Sequence, residues 1–282
     1  VSPLQSKPLT GSIYLLPQTS SQLLRMALYA RGAGVELKLP GTVDLDPVTG
    51  RVTTTFDDQP MLAASRISLR FNDGPRAVLA NPTTCGVKTV SAELTAHGGA
   101  VARASSSFTI SADGNGAPCP PIGFAPTFSA GTIVPVAGAP STFTVTFGRS
   151  DRDAILRAID LELPNGLTGR VADVELCPDA AAAAGTCDER SRIGSAQVAA
   201  GPGASPFWLP GRVYMTEGYK GAPFGLAIVV PAKAGPLDLG TVVVRAAVHV
   251  DKHTAALRIV SDPMPTILRG IPLQIRTVNI TI

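Results

Sequence analysis

Several stretches of the chain alternate strictly between apolar and polar residues, which is the pattern of a half-buried β-strand. The clearest are Val35 to Leu39, Thr142 to Phe147 and Leu273 to Ile282. Arg66 to Phe71 alternates in the same way, with its apolar residues on one face if the segment is extended. Each of these segments is therefore predicted to be a strand.

Two near-continuous apolar runs, Leu226 to Val230 and Thr241 to Val250, predict strands that are buried on both faces. Asp46 to Gly50 has the composition of a turn, with Pro at a position of restricted φ and Gly closing it. Arg51 to Phe56 is then the returning strand, so the sequence predicts a hairpin at this point.

A second hairpin is predicted from Val87 to Thr95 and from Ala104 to Ile110, around a turn rich in glycine. Cys85 precedes its first strand and Cys119 follows its second. Because these two ends of an antiparallel pair lie together, a disulfide between the two cysteines is predicted.

One short helix is predicted from Pro178 to Ala184. Pro stands in the first turn, Asp179 places an acid near the N-terminus, alanines follow and Gly185 ends the run. A helix this short is not stable alone in water. Cys177 and Cys187 bracket it, and a disulfide between them is predicted to hold it in place.

The stretch 211–282 resembles the stretch 11–72. The matched segments are Gly11 to Leu15 with Gly211 to Met215, and Val43 to Thr49 with Val248 to Thr254. Their order is kept, and the gaps grow by a few residues, as loop insertions would make them. Such self-similarity at a long period predicts a repeated domain, and the alternative is a chance likeness between β-rich segments. Copy one has no counterpart of residues 121–210, and copy two has none of residues 73–120.

Together these patterns predict an all-β protein of tandem, immunoglobulin-like β-sandwich domains with one short, disulfide-clipped helix. The Gly- and Pro-rich stretch 111–121 predicts a linker. The first domain is then 1–120, the C-terminal part of one repeat followed by the hairpin clipped by Cys85 and Cys119. The second is 121–282, a β-sandwich that contains the second copy.

Composition narrows the choice of partners. Charged residues make up only 16% of the 282 residues and the net charge is +3, with no basic run, which argues against a nucleic-acid partner. No stretch reaches the ~18–20 apolar residues of a membrane span.

The four cysteines are even in number, widely spaced and form no CxxC motif, which favours disulfides over a zinc site. Disulfides persist outside the reducing cytosol, so an extracellular or cell-surface location is predicted, and four unpaired buried thiols are the alternative.

Four segments carry a resemblance to a known family: LELPNGLTG, ELCPDAAAAAGTC, YKGAPFGLAIVVPAKAGPLDLGTVVVRAAVHVD and SDPMPTILRGIPLQIR. They are similar to an uncharacterised family of long, repetitive secreted proteins from actinobacteria. The resemblance covers most of the chain and is most specific in residues 161–282. It implies export and tandem repetition, with no established activity and no catalytic residues to transfer.

Two groups of side chains are candidate metal ligands. The first is His249, Asp251 and His253; the second is Asp44, Asp46, Asp57 and Asp58. The residue types at the first group's positions differ between the two copies, which argues against a metal site there. Aspartates such as those of the second group are ordinary turn residues as well as calcium ligands. No cofactor or metal is therefore predicted.

The aromatic residues Phe207, Trp208, Tyr214 and Tyr219 could form a platform on which sugars stack, although packing explains them more simply. The chain has no GxSxG, HExxH, P-loop or GxGxxG motif. Asp151 and Asp153 form a carboxylate pair, but they stand in a predicted turn. The protein is therefore not predicted to be an enzyme.

The leading functional hypothesis is a non-catalytic, exported structural or adhesive repeat unit of a fibre-like protein. Its partners would be neighbouring copies joined head to tail, with Leu273 to Ile282 as an open strand edge that recruits another strand. The alternative is an extracellular module that binds a glycan of the cell envelope.

Overall fold

The computed structural model describes residues 8–32, 34–57, 59–61, 66–74, 77–82, 84–113, 116–119, 123–169, 171–203 and 205–282. The chain divides into two compact units, Val1–Pro120 (unit 1) and Pro121–Ile282 (unit 2). The Gly- and Pro-rich stretch 111–121 lies at their junction. Each unit is described by itself.

Unit 1 contains a four-stranded antiparallel sheet and a separate hairpin. The sheet has the order β1 (Thr10–Leu16), β2 (Leu24–Gly32), β3 (Val35–Leu45) and β4 (Val52–Thr55). The hairpin pairs β5 (Gly86–Thr95) with β6 (Val101–Ile110), as the sequence predicts. Cys85 and Cys119 form a disulfide beside it, with Cα atoms 6.0 Å apart.

Unit 2 contains eleven strands and one α-helix within the residues described. The strands are β7 (Thr127–Thr132), β8 (Phe143–Gly148), β9 (Asp160–Glu162), β10 (Arg192–Ala200), β11 (Phe207–Thr216), β12 (Phe224–Ala234), β13 (Leu237–Val250), β14 (Leu257–Ser261), β15 (Ile267–Leu268), β16 (Ile271–Pro272) and β17 (Ile275–Thr281). The helix is α1 (Asp179–Ala184), and a 3₁₀ turn follows at Glu189–Ser191.

Nine strands of unit 2 form one antiparallel sheet, in the order β7-β8-β17-β10-β11-β12-β13-β14-β9. The two short strands β15 and β16 pair only with each other. An immunoglobulin-like sandwich needs two sheets packed face to face. The all-β prediction is therefore confirmed, whereas the prediction of an immunoglobulin-like sandwich is not, because the long strands of unit 2 join a single curled sheet.

Helix α1 begins at Asp179, one residue after the predicted start, and ends at Ala184 as predicted. Pro178 stands at the N-cap, Asp179 lies in the first turn, and Gly185 ends the helix in the left-handed conformation with φ 70°. Cys177 and Cys187 form a disulfide across it, with Cα atoms 5.5 Å apart. The helix therefore sits in a short, covalently closed loop.

The closed loop packs on the outer face of the sheet. Its buried residues Cys177 and Ala182 contact Tyr214 of β11 and Ala227 and Val229 of β12. Tyr214 is 3% exposed as a result. Because side chains alternate along a strand, the residues one position away face the inside of the curl.

Strands β1 to β4 and strands β11 to β14 are paired in the same register. Adding 200 to residue numbers in β1 and β2, and 205 in β3 and β4, converts one set of partners into the other, except at the tip of the β12–β13 hairpin, where the register shifts between Pro231 and Lys233. Examples are Ser12 with Tyr29 and Arg212 with Val229, Leu24 with Val43 and Phe224 with Val248, and Asp44 with Thr53 and His249 with Arg258. The two meanders thus share order, direction and register.

The turns that close these meanders also have the same hydrogen bonds. Oδ1 of Asp46 accepts the N–H groups of Val48 and Thr49 at 2.9 and 2.7 Å. Oδ1 of Asp251 accepts the N–H groups of His253 and Thr254 at the same distances. The two turns end on residues of positive φ, Gly50 at 69° and Ala255 at 58°.

Two sequence predictions about strands are wrong. Arg66 to Phe71 is not a strand, and its apolar residues are exposed, Ile67 by 69% and Leu69 by 49%. Leu273 to Ile282 does contain a strand, β17, but it is no open edge. β17 lies between β8 and β10 and is hydrogen-bonded to both, so it has no free backbone groups to recruit another strand.

Candidate functional site

The curled sheet of unit 2 partly surrounds an apolar cavity of about 720 Å³ that is open to solvent on one side. Each of its nine strands contributes to the wall, from Thr132 of the edge strand β7 to Leu161 of the opposite edge strand β9. The middle of the wall comes from alternate residues of the long strands, for example Leu226 and Ile228 of β12 and Val244 and Ala246 of β13. We call this cavity the lumen.

The lumen is lined mainly by aliphatic side chains, together with Phe143 and Phe147, and by no charged residue among those that the structure describes. Its polar side chains are the hydroxyls of Thr132, Ser141, Thr168 and Ser261. Two segments between strands complete the wall, 134–141 and 166–169. The arrangement can hold an apolar molecule, since it offers a large buried apolar area and few groups for hydrogen bonding.

The sequence alone does not predict the lumen. The only signal that could have indicated it was the number of long strands with an apolar face, and each of those faces is equally expected in an ordinary packed core. Which faces meet, and whether they meet across packed side chains or around a cavity, depends on how the sheet curls.

The four aromatic candidates for sugar binding are not brought together. Phe207 and Trp208 are exposed by 55% and 57%, but as neighbours on β11 they point to opposite faces of the sheet. Tyr214 is buried beneath the helix loop. Tyr219 belongs to a separate group with Arg245 and Asp262. The predicted four-residue surface is therefore not formed.

Tyr219 lies in an ionic cluster on the outer side of the sheet. The guanidinium carbon of Arg245 is 3.8 Å from the centroid of the Tyr219 ring, and the Tyr219 hydroxyl donates to Asp262 at 2.6 Å. Lys220 forms an ion pair with the other oxygen of Asp262. Nη1 of Arg245 also donates to Asp179 of α1 at 2.6 Å. The cluster thus ties the helix to β13 and to the loop before β12.

The interactions in this cluster shift the pKa values of Tyr219 and Asp262. The hydrogen bond to Asp262, together with burial, raises the pKa of Tyr219. Burial alone would raise the pKa of Asp262, but hydrogen bonds from Lys220 and Tyr219 outweigh it and lower that pKa. Each ionised group therefore stays charged with an opposite charge beside it, as expected of a structural cluster.

Two of the candidate metal ligands are engaged in local turns. Asp46 and Asp251 each accept the N–H groups of their own turn, as described above, and these bonds lower their pKa values. His249 lies on β13 opposite Arg258, and Asp58 lies outside the described residues. Within the described part of the chain, no three His, Cys, Asp or Glu side chains are grouped so that they could hold a metal ion.

The carboxylate pair Asp151 and Asp153 is likewise part of local structure. Asp153 accepts hydrogen bonds from the N–H groups of Ala125 and Ser150 at 2.9 and 2.8 Å, which lower its pKa. Asp151 accepts the N–H of Gly203 at 2.8 Å and forms an ion pair with Arg276. These bonds hold the ends of β8 and β17 to neighbouring loops rather than present two acids to a cleft.

No helix in the described ranges is long and apolar enough to cross a membrane. Comparison of the chain with models of protein families, with curated proteins and with solved structures finds no match.

Proposed function

We propose that the protein is a non-catalytic, exported structural repeat protein whose units join head to tail. One observation carries the proposal: the meanders β1–β4 and β11–β14 have the same strand order, register and closing turn. Two unrelated meanders have no reason to share this register over all three strand pairs. The difference lies at the tip of the middle hairpin, which is five residues longer in unit 2, since Val230 pairs with Val242 where Ala30 pairs with Leu37. Duplication of one structural unit accounts for the shared register, and repetition is the usual construction of extended proteins.

Export is supported by the two disulfides, Cys85–Cys119 and Cys177–Cys187. Disulfides form and persist in oxidising surroundings. A location at the cell surface or outside the cell also agrees with the family resemblance of the sequence. The same resemblance supports the interpretation that the two meanders are copies of one repeat.

The edge of β1 is the proposed contact between units. In unit 2 the equivalent strand β11 is paired on both sides, with β10 and β12. In the described part of unit 1, β1 pairs with β2 alone, and Tyr14 and Leu15 are each 55% exposed. An unpaired strand edge of this kind takes up another strand through main-chain hydrogen bonds.

The strand that fits β1 is β7 of a neighbouring copy. β7 is an edge strand of the nine-stranded sheet, with the uncharged sequence TFSAGT. The opposite edge strand, β9, has three residues, of which Asp160 and Glu162 are acidic. Charges on an edge strand discourage pairing, so β7 is the better partner. Because β1 and β7 belong to different units, their pairing links copies head to tail rather than in closed pairs.

Sedimentation velocity over a range of concentrations tests the proposal. We expect the wild-type protein to associate as concentration rises, and we expect Tyr14→Lys on β1 or Ala130→Lys on β7 to stop it. Thr53→Lys on the exposed strand β4 is the matched control and should associate like wild type. A wild-type protein that stays monomeric at every concentration would overturn the head-to-tail role.

A second candidate function, binding of an envelope glycan, is favoured by a single observation. Trp208, the one tryptophan of the chain, is 57% exposed. An exposed tryptophan ring offers a face on which a sugar ring stacks. Saturable binding on a glycan array that disappears in Trp208→Ala would support this function over the structural one.

A further inference from the structure

We propose that the lumen of unit 2 binds one acyl chain, with the polar end of the lipid left at its mouth. This is a binding function in addition to the structural role proposed above and does not depend on it. The volume of about 720 Å³ lies within the range of roughly 300–1,000 Å³ that is usual for ligand sites. Predominantly apolar cavities of this kind favour apolar molecules over water.

The chemistry of the wall selects the kind of ligand. Its side chains are mostly aliphatic or aromatic, its polar side chains are a few hydroxyls, and it includes no charged residue in the described ranges. An ionised head group would lose its hydration inside without gaining a partner, which is costly. A saturated or unsaturated chain, in contrast, needs only apolar contact over its length. The wall therefore fits the chain of a lipid and excludes its head group.

The segment between β7 and β8 provides a mouth of the same character. Residues 133–141 carry no charge, and Val134 and Val136 line the lumen. Ile133, Val134 and Val136 are nevertheless 67%, 43% and 61% exposed to solvent. Apolar surface thus continues from the outside of the unit into the lumen, which gives an acyl chain a path that never crosses a polar barrier.

The methionines of the chain allow a direct test on the unmodified protein. Of the four, Met215 and Met264 line the lumen, whereas Met26 lies on β2 of unit 1 and Met61 lies beyond β4. With methyl-labelled methionine, a stearate carrying a nitroxide on its chain should broaden the NMR signals of Met215 and Met264 and spare the other two. Single Met→Leu variants assign the four signals. Equal broadening of all four, or none at saturating stearate, would overturn the proposal.

Two arms of this experiment distinguish where the chain comes from. The first uses free spin-labelled stearate, and the second uses phosphatidylglycerol vesicles that contain a spin-labelled phospholipid. Broadening of Met215 and Met264 in the first arm alone assigns a free fatty acid. Broadening in the second arm assigns the tail of a membrane lipid. Absence of selective broadening in both arms rejects the site.

A variant whose lumen is filled by a larger side chain gives an independent check of where the acyl chain binds. Val244 of β13 faces the lumen, so Val244→Trp should weaken palmitate binding by about tenfold or more. His249→Trp places the same side chain on the exposed, opposite face of the same strand and should bind palmitate like wild type. Equal affinity in both variants, each verified as folded by its methionine spectrum, would contradict binding in the lumen.

Discussion

Nη1 of Arg245 lies 2.6 Å from Oδ1 of Asp179, so a buried arginine of β13 holds the first turn of α1 against the sheet. The arginine side chain is 9% exposed and that of Asp179 66%. Nε and Nη2 of Arg245 have no hydrogen-bond partner among the described residues. The guanidinium therefore depends on Asp179 and on the face of Tyr219 for its stabilisation.

Loss of Asp179 should cost more than loss of the arginine itself. Asp179→Ala leaves a buried charge without its carboxylate, and we expect a loss of about 1–2 kcal/mol of unfolding free energy, reduced by the exposure of Asp179. Arg245→Met removes the charge and keeps apolar bulk, so it should change stability by less than about 1 kcal/mol. Denaturant unfolding of both variants measures the difference. The reverse order would show that the ion pair is not what holds the helix.

The turn carboxylate of Asp251 should make stability depend on pH. Its pKa is lowered by hydrogen bonds from the N–H groups of Thr254 and His253. A lowered pKa in the folded protein means that the stabilisation is present above the unfolded value of about 3.9 and is lost as pH falls through the folded value. We therefore expect Asp251→Ala to lower the melting temperature at pH 7.

The difference in melting temperature between Asp251→Ala and wild type should shrink as pH falls below about 4. Lys252→Ala, at the exposed neighbouring position, is the control, and its melting temperature should match that of wild type both at pH 7 and below about pH 4. Asp46→Ala should behave like Asp251→Ala, because the two turns have the same hydrogen bonds. A pH-independent difference would mean that the carboxylate acts through something other than its charge.

A glycine of β11 should tolerate no side chain. A Cβ on Gly211 would lie 2.8 Å from Cγ2 of Val230 and 3.0 Å from the carbonyl oxygen of Val229. We expect Gly211→Ala to destabilise the protein by about 1–3 kcal/mol through overpacking. Gly131→Ala in β7 is the matched control, since nothing lies within 4 Å of the added carbon. Equal melting temperatures of the two variants would contradict the close packing of β11 on β12.

The disulfide around α1 should account for a measurable part of stability. Cys177 and Cys187 are ten positions apart, and closing a loop of this size stabilises a protein by about 2–3 kcal/mol in the chain-entropy account. Calorimetry of the Cys177→Ala/Cys187→Ala double variant measures this loss. Non-reducing peptide mapping should recover Cys177–Cys187 and Cys85–Cys119, and crossed pairs or free thiols would contradict the assignment.

The sequence by itself determined the local elements of this protein. Helix α1, the hairpin of β5 and β6, the turn that begins at Asp46 and most strands follow from residues only a few positions apart. In such elements the deciding interactions are a cap, a turn hydrogen bond or an alternating face, and each is written in neighbouring residues. The two cysteine pairs belong to the same group, because each brackets one local element.

Only the tertiary structure decided how those strands combine. Arg66 to Phe71 and the segment of β17 alternate alike, yet β17 is a central strand because β8 and β10, far away in sequence, pair with its two edges. Likewise, the alternation of Phe143 and Val145 predicted a strand but not the sheet it joins. Backbone pairing between distant segments and the curl of the sheet leave no local signature, so the lumen appears only when nine strands lie side by side.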